Sequence, residues 1–126
     1  MTERIKASDL PRAQGAATNK YGARPAAVDG IRFDSQHEAR RWAQLRLLEQ
    51  GGEITDLQRQ VPLILQGRDD VLRGRAGRPM RITVDFSYVD IRTGLRVYED
   101  AKGMPTRDYE VRRAVAAAQG VEIVEV

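Results

Sequence analysis

The chain has 126 residues, 41% hydrophobic and 31% charged, enough for one domain with a core of its own. It has no cysteine and a single histidine, His37, which excludes disulfides, thiolate catalysis, iron–sulfur clusters, cysteine-bound zinc and any site built on two histidines. Lys and Arg number 21 against 18 Asp and Glu, a net charge of +3 that suits an anionic partner.

Residues 1–27 are polar and alanine-rich, punctuated by Pro11, Gly15, Gly22 and Pro25, with Arg4, Lys6, Arg12, Lys20 and Arg24 against Glu3 and Asp9. Without apolar periodicity this reads as a loose basic arm ahead of one domain over residues 28–126. Ile31 and Phe33 alternate with polar neighbours as a short edge strand. Ser35 with Glu38 fits a capping box that opens a helix, and Ala39, Trp42, Leu45 and Leu48 continue its apolar stripe up to Gly51 and Gly52. Ile54 to Leu65 reads as extended, with Pro62 arguing for an edge or a bulge. Gln66 to Met80 is a Gly/Arg loop that is expected to project into solvent rather than pack a core.

Two period-two runs follow. Ile82, Val84, Phe86 and Tyr88 share one face of the first, and Leu95, Val97 and Tyr98 lie in the second. Asp90 to Gly94 makes the turn, with Gly94 as its left-handed residue. Pro105 and Thr106 start a second helix with Val111, Ala114, Val115 and Ala118 on its apolar side, Gly120 ends it, and Val121 to Val126 is a last strand. Strand, helix, strand implies a parallel pairing for that last strand. The expected fold is α/β: helix, three strands, helix, strand, with a mixed central sheet flanked by helices.

No stretch approaches the ~18 apolar residues of a membrane span, and the N-terminus lacks the apolar run of a signal peptide, so a cytoplasmic protein without a membrane partner is expected.

The segment that carries chemistry is Arg81 to Gly103. Strand side chains alternate, so Asp100 and Lys102 share a face and Ala101 points away. If Ile91 to Gly94 form the loop, Asp90 faces Leu95, and the same register carries Asp85 opposite Asp100 and Thr83 opposite Lys102; a loop one residue shorter moves Asp85 to the other face. Two carboxylates across a ladder sit about 5 Å apart at Cβ and repel by about 3 kcal/mol at an effective dielectric near 20. Protonation, a cation, or Lys102 must relieve that repulsion, and oxygen-only ligands favour Mg²⁺ or Mn²⁺. Lys102 is placed to orient a water or meet charge on a phosphate. Glu99 points to the opposite face as a salt-bridging or surface residue. Glu38 lies with Trp42 and Leu45 on the stripe facing the sheet, either as a helix cap or as a further metal ligand.

This pattern resembles the PD-(D/E)XK nuclease superfamily, which has a restriction-endonuclease-like core with the same element order. Its acid, acid-x-lysine and helical glutamate map to Asp85, Asp100-Ala101-Lys102 and Glu38, with Val84 where the family often has proline. More closely, Asn19-Lys20-Tyr21-Gly22, the Phe33-Asp34-Ser35-x-x-Glu38-Ala39 box, Leu57-x-x-Gln60 and Glu99-Asp100-x-Lys102-Gly103 resemble a phage- and prophage-borne family of small nuclease-like proteins first labelled a domain of unknown function. The resemblance spans Asn19 to Val126. It implies Mg²⁺-dependent phosphodiester hydrolysis of DNA in a bacterial host, with Mn²⁺ as a substitute. The metal would be held by Asp85, Asp100, Glu38 and the Ala101 carbonyl, and Lys102 would assist the attacking water.

Among the remaining residues, Gln60 either reaches the metal edge or is an ordinary ladder glutamine. Arg73, Arg75 and Arg78 of the loop and Arg112 and Arg113 of the second helix are candidate phosphate contacts, as is Lys20 of the arm. A homodimer suits paired cuts, with the Ile31/Phe33 strand or the Pro62 region as the interface. The rival reading is a noncatalytic DNA- or protein-binding module on the same fold. RNA cleavage would use the same residues.

Overall fold

A computed structural model describes residues 26–101 and 106–126. The basic arm up to residue 25, with Lys20, and the segment 102–105, with Lys102, lie outside the described residues. The elements run β1 (Ala26–Val28), β2 (Ile31–Phe33), α1 (Gln36–Gln50), β3 (Ile54–Ile64), β4 (Arg81–Asp90), β5 (Arg96–Asp100), α2 (Arg107–Ala118) and β6 (Ile123–Glu125). From α1 onward this is the expected helix, three strands, helix, strand.

The main sheet has the order β3-β4-β5-β6, antiparallel except for the β5–β6 pair, which is parallel as the strand–helix–strand pattern requires. It is thus a mixed α/β sheet with flanking helices. Ile31 and Phe33 do form a strand, but its partner is β1, in a separate two-stranded sheet. Ala26 and Ala27, assigned to the arm from sequence, therefore belong to the fold. Their turn, Asp29-Gly30, has both residues at positive φ, the geometry of a tight two-residue hairpin.

Ser35 caps α1 by accepting the Glu38 amide at 3.1 Å. Ala39, Trp42 and Leu45 are buried against Phe33, Ile54, Phe86 and Tyr88, with Leu48 packed alongside. Trp42 stacks on Phe86 at 6.1 Å between ring centroids, and the Arg59 guanidinium sits 4.5 Å over the Phe33 ring. A second cluster joins Leu65, Ile82, Val84, Tyr109, Ala116 and Ile123. Val97 packs with the first cluster and its neighbour Tyr98 with the second, so the alternation of β5 separates the two.

Two expectations need correction. The buried face of α2 is Tyr109 and Ala116, and of the expected Val111, Ala114, Val115 and Ala118 only Val115 packs beside them; the other three are exposed, Val111 at 55%. Between Tyr109 and Ala116 the half-buried positions include Arg112 and Arg113, so part of this face is charged and breaks the apolar period. The loop 66–80 also contributes to packing: Leu72 and Met80 join the second cluster. Among the described residues no helix is long and apolar enough to cross a membrane.

Candidate active site

The β4–β5 register is the one the four-residue loop demands. Phe86 pairs with Glu99, Ser87 with Tyr98, Tyr88 with Val97 and Val89 with Arg96. The Asp90 amide donates to the Leu95 carbonyl at 3.0 Å and the Gly94 amide to the Asp90 carbonyl at 2.7 Å, with Gly94 at φ 73. Asp85 and Asp100 follow one step beyond the Phe86–Glu99 pair, the last of the ladder. Asp85 Oδ2 accepts the Ala101 amide at 2.8 Å, so the Asp85 carboxylate lies against β5 where the ladder ends.

Gln60 of β3 completes the connection. Its Nε2 donates to Asp85 Oδ1 at 3.3 Å and to Glu38 Oε1 at 3.2 Å, bringing α1, β3 and β4 to one point. Glu38 and Asp85 are each 7% exposed, whereas Gln60 is exposed and forms the solvent side of the cluster. Gln60 is held at φ 50, a left-handed backbone that is uncommon for a residue other than glycine and costs of order 1 kcal/mol. On either side of it the pleat changes allegiance. Leu57 joins the first cluster and Val61 and Leu63 the second; on β4, Phe86 and Val84 divide in the same way about Asp85. Strict alternation would keep residues two and four apart on one face. The interruption thus falls at the two positions that hold the acidic cluster.

Asp100 is fully buried on β5, and its carboxylate neighbours the Tyr109 phenol of α2. Burial, then the charge of Asp100 and a hydrogen bond to it, keep the proton on Tyr109 well above the usual phenol range. Tyr109 packs inside the fold, 8% exposed in the second cluster. Among the described residues no group of three His, Cys, Asp or Glu converges as a metal-holding cluster. The donors are nevertheless of the right kind: hard carboxylate oxygens in a buried setting, two of them already met by the positive end of the Gln60 amide dipole, suit Mg²⁺ or Mn²⁺ rather than a softer ion.

Of the two expectations for Glu99, salt-bridging or surface, the structure bears out the first. It is 2% exposed, and Arg41 of α1 grips it with two bonds, Nε to Oε1 at 2.8 Å and Nη2 to Oε2 at 2.7 Å; the Tyr88 hydroxyl donates to Oε2 as well. This clamp ties the helix of Glu38 to the strand of Asp100. Burial, then the hydrogen bond to Glu99 and its charge, raise Tyr88 well above the usual phenol range. Phenols in the unfolded chain ionise near pH 10, so above that the native state binds more protons and stability falls as pH rises, by at most about 1.4 kcal/mol per pH unit for each such tyrosine. Denaturant titrations between pH 8 and pH 11 should show a shallower decline for Tyr88→Phe than for wild type; equal slopes would mean that Tyr88 ionises as readily folded as unfolded.

The basic residues divide into two groups. Arg112 is tied to Asp108 at 2.9 Å and to the Arg81 carbonyl at 2.6 Å, Arg113 to Glu125 at 3.2 Å, and Arg73 to Asp70 and the Gly77 carbonyl, each at 3.0 Å. Arg75 and Arg78 are exposed and have no ion pair among the described residues. His37 is exposed, with Nε2 2.7 Å from the Val126 carbonyl oxygen, apart from the acidic cluster.

A mixed four-stranded sheet with flanking helices in this order, carrying buried acids at the end of its central hairpin, defines an α/β protein with a restriction-endonuclease-like arrangement. The chain belongs to a family described as a protein of unknown function (DUF1064), whose model matches residues 18–124. No curated protein matches it, and no solved structure does.

Proposed function

We propose that the protein is a Mg²⁺-dependent DNA endonuclease of the PD-(D/E)XK superfamily, of phage or prophage origin, acting on branched or junction DNA in the cytoplasm of a bacterial host. The observation that supports this most is the Asp85 carboxylate, which accepts the Ala101 amide just past the Phe86–Glu99 pair and is joined to Glu38 through Gln60. Asp85, Asp100 and the Ala101 carbonyl would hold the cation, with Glu38 beside them. When bound, a divalent cation polarises a phosphoryl oxygen and lowers the pKa of a water. The Ala101 amide fixes the rotamer of Asp85, the Arg41–Glu99 clamp fixes α1 against β5, and Tyr109 keeps its proton beside Asp100. Lys102, two residues past Asp100, is assigned to orient the attacking water and to meet charge on the phosphate.

The test is cleavage of linear, nicked, flapped and four-way DNA in Mg²⁺ or Mn²⁺. Asp100→Asn should lower the rate by more than about a hundredfold, since changes merely adjoining a metal site cost about 10–100-fold. Lys102→Ala should abolish cutting while leaving metal uptake intact. Both variants cutting like wild type would overturn the assignment. Light scattering during gel filtration tests the homodimer that paired cuts would favour.

A second reading, a noncatalytic DNA- or protein-binding module, draws on Arg75 and Arg78, which are exposed and have no ion pair among the described residues. Calorimetry separates the two, because such a module takes up no Mn²⁺ at Asp85 and Asp100.

A further inference from the structure

The chain between β3 and β4 is a built finger. At its base the Leu65 amide donates to the Met80 carbonyl at 2.9 Å, the Leu72 amide to the Leu65 carbonyl at 2.8 Å and the Met80 amide to the Leu72 carbonyl at 2.6 Å. The side chains of these three residues sink into the α2 cluster, with Leu65 1% exposed. Further out, Gln66 bridges Val71 and Arg73 bridges Pro79, both antiparallel. The tip closes through the Gly74 amide on the Arg78 carbonyl at 2.9 Å and the Gly77 amide on the Gly74 carbonyl at 3.0 Å. Gly77, at φ 85, is the left-handed residue that ends a tight turn on Arg75-Ala76.

Within this finger the arginines have different jobs. Arg73 reaches inward, to Asp70 and across the tip to the Gly77 carbonyl, and braces the turn. Arg75 and Arg78 flank a tip whose other residues, Ala76 and Gly77, have almost no bulk, and both are exposed with no ion pair among the described residues. A cation already held by an acid must give up that partner to meet a phosphate, whereas an unpaired one releases only the counterions of the nucleic acid. A braced, narrow tip also loses little conformational entropy on binding.

We propose that this finger enters a groove of duplex DNA, with Arg75 and Arg78 gripping the phosphates and Arg73 serving as its internal strut. The inference rests on the nucleic-acid reading of the preceding section and names the element that grips the duplex. Arg112 and Arg113 instead hold α2 to the sheet.

The test is fluorescence anisotropy of a labelled DNA duplex with the full chain in EDTA, so that binding is read without cleavage, at KCl from 50 to 200 mM. The Arg75→Gln/Arg78→Gln variant should bind at least tenfold more weakly at 100 mM KCl, and its slope of log affinity against log salt should be shallower by about 2 (roughly 0.9 for each phosphate no longer neutralised). Arg75→Lys/Arg78→Lys should keep the wild-type slope, which separates missing charge from a disturbed finger. Arg92→Gln, on the exposed β4–β5 turn, should bind like wild type. Overturning results are a Gln variant within twofold of wild type, a Lys variant that loses the slope, a wild type that does not bind the duplex, or binding confined to RNA. Loss of duplex binding in the Gln variant, with no metal-dependent cutting by wild type, would sink the nuclease reading and leave the finger standing. An unaffected Gln variant in a protein that cuts would do the reverse.

Discussion

Arg41→Met should lower the unfolding free energy by about 3–5 kcal/mol, the usual consequence of stripping one partner from a buried ion pair. Glu99 is 2% exposed, and the two guanidinium bonds are its main compensation for leaving water. Without them the carboxylate keeps the Tyr88 hydroxyl, a neutral donor that offsets only part of the desolvation. For a chain of this size such a loss lowers the melting temperature by about 10–20 °C. Urea denaturation of the variant and of Arg41→Met/Glu99→Leu decides the matter. The double variant should recover much of the deficit, because an apolar pair of similar volume removes the stranded charge altogether. A deficit under about 1 kcal/mol in the single variant, the range of exposed pairs, would show that the clamp is wetter than its burial indicates.

Gln60→Glu should produce a protein whose stability depends on a divalent cation. The native amide offers its Nε2 hydrogens to Glu38 and Asp85 at once. A carboxylate at that place instead puts a third negative charge within hydrogen-bonding distance of two others, each pairing being worth up to about 4 kcal/mol of repulsion at an effective dielectric of 20, less whatever the exposed side screens. In EDTA the melting temperature should fall by about 10 °C or more, and millimolar Mg²⁺ should restore most of it. Thermal melts of wild type and variant, with and without Mg²⁺, read this directly. An equal drop in both buffers would mean that no cation sits among these acids.

Much of the fold was legible because its signals are local. The Ser35 cap, the stop at Gly51, the Gly94 turn and the parallel last strand each depend on residues close together in the chain or on a general rule of connection, and the hairpin register followed from a loop length. The candidate site was legible in its framing: the loop length sets Phe86 opposite Glu99, and Asp85 and Asp100 stand one step beyond that pair. What could not be read were partnerships across the fold. Glu99 could be read as a salt-bridging or surface acid but not as a buried one, because its partner, Arg41, is 58 residues away on another element. The Ala-rich α2 can bury more than one stripe, and the cluster of Leu65, Ile82, Val84 and Ile123 beneath it selects Tyr109 and Ala116. The anchoring of the finger through Leu72 and Met80 is likewise set by the cluster beneath it. No sequence signal marks Gln60 as left-handed, since a glutamine carries no compositional mark of that conformation.

The outer strand β3 bears a consequence of its irregularities. Asp56 and Gln60 are both left-handed, a register shift falls between Thr55 and Gln58, and Pro62 has no amide hydrogen to give. A neighbouring polypeptide seeking to extend the sheet along this border needs an unbroken row of donors and acceptors and meets none. The same contortion that gathers the acids therefore guards the molecule against stacking into filaments there, and a substitution that straightened Gln60 would remove that protection.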